Sequence, residues 1–460
     1  MSQTPLIQLV TTGIKDEYLS LNPDISYFKY VYKRHTRFAI HSLKNEFNTK
    51  PLLSSEDQKC MINIQRHGDL LADINLVMTL PAIRSYKNVI GNVPGDLRFR
   101  WIENFGTLLV KEATIYIGSL GVPINKLYGE WILIWNELTL DTGKKEKYDK
   151  LTGNIEKNIN PRVEETTIKL GKLNKLKYEY YKYANPNGDS PSINENKICI
   201  PLPFYFSKDS MLYLPLCALQ LNEIKVEIEI ENVEKLYEVF DIEYKKYISP
   251  IKYNERYSKN ITIKDFVGEN VDLKAYLETK YIFLDEVERK AIILNKTNNN
   301  SLVERVYRKD EIISSKSINI KLDINNPVKK IIWKLNRRER DENGLNYLDN
   351  DDEEIMKTAK ILWQGVNERV EEKDNIFYGK IQPYYHHSAV PKEGIYCYSF
   401  ALFPEKWRPS GYFNPSGRHE ISTSLSLELN RTGNYDISIY VVMYNILEII
   451  GGIGSFKFAI

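Results

Sequence analysis

The stretch Lys225-Val226-Glu227-Ile228-Glu229-Ile230 places an apolar side chain at every second position and a charged one between. In an extended strand successive side chains point to opposite faces, so this stretch buries one face and wets the other. The same period recurs along the chain. Ile74, Leu76, Met78 and Leu80 alternate with Asn75, Val77 and Thr79. Ile318, Ile320, Leu322 and Ile324 alternate with Asn319, Lys321 and Asp323. Leu425, Leu427 and Leu429 alternate with Ser424, Ser426 and Glu428. Half-buried strands of this kind, separated by polar turns, predict an all-β fold built from antiparallel sandwiches.

Helical signals are few. Leu127, Trp131, Trp135 and Leu138 share one helical face, which predicts a short helix over 126–139 lying on a sheet. A second helix is predicted to start at Asn22-Pro23, where Asn suits the cap and Pro the first turn. On it Lys29, Lys33 and Arg37 would share a basic face, with Phe28, Val31, His35 and Phe38 on another.

Two polar stretches, 141–197 and 336–358, interrupt the strands and are expected as exposed loops carrying at most small elements of their own. The two halves echo each other. Residues 200–230 and 395–430 both run apolar strand, polar or Pro-rich turn, then alternating strand, which suggests an internal duplication. The expected division is an N-terminal segment 1–40, a first sandwich 41–245 and a second 246–460.

Bulk composition narrows the function classes. Of 460 residues, 42% are hydrophobic and 27% charged, enough for a packed core and unlike a disordered chain. A net charge of +2 gives no support to a sequence-specific nucleic-acid binder. Cys60, Cys199, Cys217 and Cys397 are scattered, which predicts reduced thiols and a cytosolic folding compartment. Met1 to Ile14 lacks the basic and apolar regions of a secretory signal. The apolar stretch 440–460 is broken by Asn445, Glu448 and glycines, and reads as strands rather than a membrane span.

Several segments, in order, resemble the major capsid proteins of nucleocytoplasmic large DNA viruses. Residues 15–38, with Asn22-Pro23 and Val31-Tyr32-Lys33-Arg34-His35-Thr36, are similar to that family's N-terminal signature, Lys33 standing where Arg is commoner. Further matches are Arg66-His67-Gly68-Asp69-Leu70, Trp101-Ile102-Glu103-Asn104-Phe105-Gly106 and Tyr128-Gly129-Glu130-Trp131. They continue through Ile200-Pro201-Leu202-Pro203-Phe204, Leu214-Pro215-Leu216, Gln382-Pro383-Tyr384-Tyr385-His386-His387 and Tyr444-Asn445-Ile446-Leu447. The turn Tyr412–Arg418 departs from the family pattern.

The resemblance implies two tandem eight-stranded jelly rolls and a non-enzymatic role. Three copies would form a pseudo-hexagonal capsomer that tiles an icosahedral shell, assembled in the host cytoplasm and resident in the virion. Implied partners are the other chains of a homotrimer, neighbouring capsomers, minor capsid proteins and an internal viral membrane. The N-terminal segment would face inward and dock through Phe28, Lys29, Lys33, Arg34, His35 and Arg37; an ordinary wetted face is the simpler reading of those residues. Rival roles are a transient membrane-shaping scaffold, a minor capsid paralogue, or a jelly-roll carbohydrate-binding protein.

No cofactor, metal or catalytic set is expected. His386 and His387, if on a strand, would point to opposite faces and could not share an ion. The acidic run 349–354 lacks the pattern of a calcium loop and reads as solvated. Gly451-Gly452-Ile453-Gly454 is followed by too few residues for the helix a phosphate loop must open. Glycosylation sequons occur at Asn260, Asn295, Asn299 and Asn430, as an Asn-rich chain also produces by chance.

Overall fold

The computed structural model describes residues 10, 20–23, 25–28, 32–84, 86–88, 95–118, 122–160, 164–170, 174–180, 191–241, 243–268, 272–294, 300–349, 351–363, 367–415 and 423–458. Residues 1–37 form one unit and 38–460 another. In the first unit, described residues 21–28 and 32–37 carry no helix. The helix expected from Asn22-Pro23 is therefore a correction. Asn22 has φ 52°, the left-handed region, whereas an N-cap residue is extended. Without that helix, Lys33 and Arg37 are not held on a common helical face.

Among the described residues of the larger unit, sixteen strands build the four main sheets. The first eight are β1 (Phe38–Glu46), β2 (Gln58–Ile64), β3 (Leu70–Leu80), β4 (Val110–Ile117), β5 (Val122–Tyr128), β6 (Asn196–Leu202), β7 (Ile224–Ile230) and β8 (Lys274–Leu284). They pair in the orders β1-β8-β3-β6 and β2-β7-β4-β5. The second eight are β9 (Asn300–Ile313), β10 (Ser317–Leu322), β11 (Val328–Arg337), β12 (Met356–Trp363), β13 (Asn367–Asp374), β14 (Ile395–Ser399), β15 (Thr423–Leu429) and β16 (Tyr435–Ile450). Their orders are β9-β16-β11-β14 and β10-β15-β12-β13. Adding eight to each strand of the first sandwich reproduces the second. The duplication suggested by residues 200–230 and 395–430 is thus present as topology. Those stretches hold β6 to β7 and β14 to β15, with strand starts at 196 and 224, and at 395 and 423.

The alternating segments sit where their period places them. In β7 the residues of Ile224–Ile230 alternate buried and half-buried. Val226 lies opposite Ile62 on β2 and Ile115 on β4, so an apolar row crosses three strands. In β15, Leu425 lies opposite Ile320 and Ile361 in the same way. Such cross-strand rows fix register, because a one-residue slip would turn every apolar side chain to solvent. Sheet membership carries the first sandwich to Leu284, beyond the division expected between 245 and 246. Strand β8 sits between β1 and β3, with Leu277 opposite Asn45 and Leu76.

Helix α1 (Gly129–Thr139) follows β5 directly, and Trp131, Ile132, Ile134 and Leu138 on it are buried. Glycine is required at 129, because a Cβ there would collide with the Val110 carbonyl. The polar stretches differ from simple exposed loops. Within 141–197, helix α2 (Thr142–Thr152) is capped by Asp141, whose side chain accepts from the Lys144 amide at 2.8 Å. This helix is docked: Tyr148 bonds Thr107 at 2.8 Å and Thr152 is buried. A short helix, Glu156–Ile159, and a hairpin of Glu164–Leu170 with Asn174–Tyr180 follow. Within 336–358, Tyr347 and Asp349 are buried. Asn343 donates to the Glu234 carbonyl at 2.6 Å and the Tyr237 carbonyl at 2.7 Å, which ties this stretch to the first sandwich. Polar composition predicted solvation here; backbone carbonyls and ion-pair partners supplied by distant segments made burial possible.

Two hydrophobic clusters result. One fills the second sandwich around Trp333, Ile361, Leu427 and Ile439. The other fills the first and continues without a break onto Ile332, Ile395, Tyr440 and Val442, on the outer side of the second sandwich's larger sheet. The two sandwiches therefore share a dry seam.

Candidate functional site

Among the described residues no group of three or more His, Cys, Asp or Glu converges as metal ligands would. The concentrated chemistry of the chain lies instead in the seam, and its polar groups are structural. Helix α1 projects Trp131 and Trp135 toward the second sandwich. The Trp131 ring lies 5.5 Å from the Tyr440 ring. Glu130, one residue earlier, accepts from the Tyr440 hydroxyl at 2.8 Å and pairs with Lys334 at 2.5 Å. Asn125 on β5 donates to the Glu304 carbonyl at 2.8 Å and accepts from the Tyr205 amide at 3.3 Å.

Glu304 is the electrostatic centre of the seam. It pairs with both Lys208 of the first sandwich and Lys329 of the second. Burial alone would raise its carboxyl; the two ammonium groups hold it below the ordinary range. Lys329 is itself shifted down by burial, against the pull of Glu304. The next residue, Lys330, is buried on the Trp135 ring, with its Nζ 4.2 Å from the ring centroid. Among the described residues its Nζ has no hydrogen-bond partner. Burial, with Lys329 and Lys208 nearby, pushes it down to about 7. His387 is pushed down to about 4 by burial and by Lys330, while its Nδ1 lies 3.3 Å from Glu405. A cluster so shielded can hold two sandwiches in one relative orientation.

The residues expected from sequence as sites lie elsewhere. Phe28, Lys33, Arg34, His35 and Arg37 are exposed, and His35 Nδ1 is 2.7 Å from the Thr36 carbonyl. Lys29 lies outside the described residues, as do Asn295 and Asn299. Asn260 and Asn430 are exposed, and the Asn430 amide donates to the Glu354 carbonyl at 2.7 Å. His386 and His387 are not on a strand. His386 ends helix α3 (Gln382–His386) and His387 caps it, a consequence of the Pro383 start and the helical segment Phe377–Ile381 before it. Sequence reading missed the seam. Its signal was Lys329, Lys330 and Lys334 set inside the apolar run Val328–Leu335, where three charges interrupt a strand buried on both faces.

Comparison with known proteins agrees with this architecture. Residues 26–285 match the family described as major capsid protein N-terminus, and residues 288–455 match large eukaryotic DNA virus major capsid protein. The chain is 29% identical over 478 residues to the major capsid protein of Pyramimonas orientalis virus, covering 99% of each. It is 26% identical over 542 residues to probable capsid protein 4 of Acanthamoeba polyphaga mimivirus, covering 98% of each. Among solved structures, the subunit in a quasi-atomic model of the PBCV-1 virus capsid superposes with a TM-score of 0.69 at 21% identity, over 95% of this chain and 100% of that one. The Faustovirus major capsid protein gives the same TM-score at 13% identity, over 95% and 94%. These relatives and fold neighbours are structural capsid proteins, the fold neighbours have the double jelly roll, and the family is not known to be enzymatic. The matched segments together span nearly the whole sequence, and the chain belongs to the family of major capsid proteins of large eukaryotic DNA viruses.

Proposed function

We propose that this virion capsid protein assembles as a homotrimeric capsomer of pseudo-hexagonal outline, and that such capsomers tile an icosahedral shell. The repeated strand order carries the reading. One chain supplies two like sandwiches held rigidly by a dry seam, so three chains supply six like corners. Closed assemblies of identical chains are the usual outcome when repeated surfaces meet by rotation. In this reading the N-terminal segment, with Phe28, Lys29, Lys33, Arg34, His35 and Arg37, faces inward toward minor capsid proteins or an internal viral membrane. Assembly takes place in the host cytoplasm, as four scattered cysteines and no paired spacing suggest.

Light scattering of the isolated protein at micromolar concentration tests the first step. A mass of three chains is expected, with an interface well above the roughly 1,600 Å² of a standard complex. A mass of one chain across the concentration range would overturn the trimer. A particle reconstruction with this chain absent from the mature shell would instead favour a transient scaffold.

A further inference from the structure

The stretch 341–349 follows β11 of the second sandwich and runs back against the first as a strap. The Asp341 carbonyl accepts from the Ser249 amide at 2.7 Å, and its carboxylate holds Lys246 at 2.6 Å. At the far end Asp349 is held by Arg337 at 2.7 Å and by the Tyr435 hydroxyl at 3.1 Å. Between these ends the chain reads Asn343-Gly344. In an Asn-Gly pair the glycine nitrogen reaches the asparagine side-chain carbonyl carbon with least obstruction, because glycine has no Cβ. That attack is the first step of deamidation.

The fold keeps the two reacting groups apart. The Asn343 side-chain nitrogen donates to the Glu234 carbonyl at 2.6 Å and to the Tyr237 carbonyl at 2.7 Å. Its backbone amide donates to Glu238 at 2.9 Å. Glu238 is itself buried and paired with Arg100 at 2.6 Å, so the anchor is fixed. The side chain cannot turn toward Gly344 without giving up both of its bonds. Flipping the amide would set its oxygen against two carbonyls. Gly344 is under no such hold. It is exposed, and an added Cβ there would meet nothing within 4 Å. Among the described residues its amide has no hydrogen-bond acceptor. The nucleophile is free and the electrophile is clamped.

We infer that Asn343-Gly344 is a latent deamidation site, closed while the strap is seated and opened when it lifts, whose reaction then keeps the strap from reseating. Surface segments open locally well below the free energy of global unfolding. Once the clamp is released, the Gly344 nitrogen attacks Asn343 Cγ. The N–Cγ bond forms, the Cγ–Nδ2 bond breaks, and the glycine amide proton leaves with the departing ammonia. Water then opens the cyclic imide at either carbonyl, which yields aspartate or isoaspartate. The net change is amide plus water to carboxylic acid plus ammonia, with no oxidant or reductant. The new carboxylate offers only acceptors to two carbonyls, beside the carboxylate of Glu238. Reseating would desolvate it without a donor, a cost the amide never met. The reaction therefore marks, irreversibly, each chain whose strap has opened.

Timed incubation of the full-length native protein at neutral pH, with peptide mass spectrometry at position 343, tests this against the same chain unfolded in urea. Two hydrogen bonds should hold the native rate at least about tenfold below the unfolded rate. Equal rates would overturn the clamp, and no reaction in the unfolded chain would remove the site. Gly344→Ala should suppress the reaction in the unfolded chain; an undiminished rate would overturn the imide route. Asp341→Ala removes the strap's hold on Lys246 and should raise the native rate severalfold. An unchanged rate in that folded variant would overturn the strap as the gate. If the variant loses its thermal transition, wild-type protein in urea below its unfolding midpoint takes its place. A rate that stays flat until global unfolding would equally overturn the gate. Asn343→Asp, one of the two products, should lower the melting temperature and speed proteolysis within 341–349. An unchanged melting temperature and cleavage pattern would overturn the block on reseating.

Discussion

The Tyr440 hydroxyl donates to Glu130 Oε2 at 2.8 Å, tying β16 of the second sandwich to the first turn of helix α1 in the first. The other carboxylate oxygen of Glu130 holds Lys334, a nearly buried ammonium, at 2.5 Å. One carboxylate thus neutralises a charge and satisfies a hydroxyl at a largely buried boundary.

Glu130→Gln should therefore destabilise the chain by about 3 kcal/mol, because Lys334 is left as a buried charge without its counter-ion. Chemical denaturation checks this. The double variant Glu130→Gln with Lys334→Met should recover much of the loss, since no buried charge is then left alone.

Trp131→Ala removes a large side chain from the same seam, where it packs on Tyr440. The expected cost is about 3–5 kcal/mol, a sizeable part of a domain's stability. Melting by circular dichroism measures it. An unchanged transition would mean that the helix contributes nothing to the seam.

Acid should loosen the seam through His387. Burial and Lys330 depress this imidazole to about 4 from the ordinary 6.5. The unfolded chain thus binds the proton first, and stability falls as pH drops from 6.5 toward 4. The groups acting on it are Lys330, His386 and Glu405. Burial would raise Glu405, but bonds from His387 and Ser388 hold it low, so its contribution is present above the ordinary carboxylate range and lost in stronger acid. Melting temperature should decline across pH 6.5 to 4, and His387→Gln should flatten the decline. A parallel decline in the variant would assign it to other groups.

Lys330→Met should raise stability at neutral pH by about 1–3 kcal/mol, because it replaces an ammonium in an apolar setting with a side chain of similar length. The folded amine is held at about 7 against an ordinary 10.5. The unfolded chain alone is protonated between these values, so wild-type stability rises with pH across that window. The advantage of the variant should shrink from pH 7 to 10.5, as paired melts would show.

Reversing charge with Lys33→Glu, Arg34→Glu and Arg37→Glu, all exposed, should change the protein's stability by no more than the roughly 0.5 kcal/mol typical of each exposed substitution. Particle yield should drop if the segment docks inward. Normal yield and normal particles would remove the docking role.

The sequence by itself determined the strands, the all-β class and the repeat, because alternation is local: Val226, Ile228 and Ile230 need only their own spacing to declare a buried face. It also carried the family, since motifs from Asn22-Pro23 to Tyr444-Asn445 keep their order. Only the tertiary structure decided which strands are neighbours. Strand β8 joins β1 across more than half the chain's numbering, and no local pattern encodes that partner. The same holds for the seam. Lys329 and Lys330 stand in an apolar run, but their partners, Glu304 and the Trp135 ring, are brought to them from other strands and helices. Asn343 likewise reads as loop until the carbonyls of Glu234 and Tyr237 meet it. Burial of a polar group depends on partners, and partners distant in sequence are supplied by the fold.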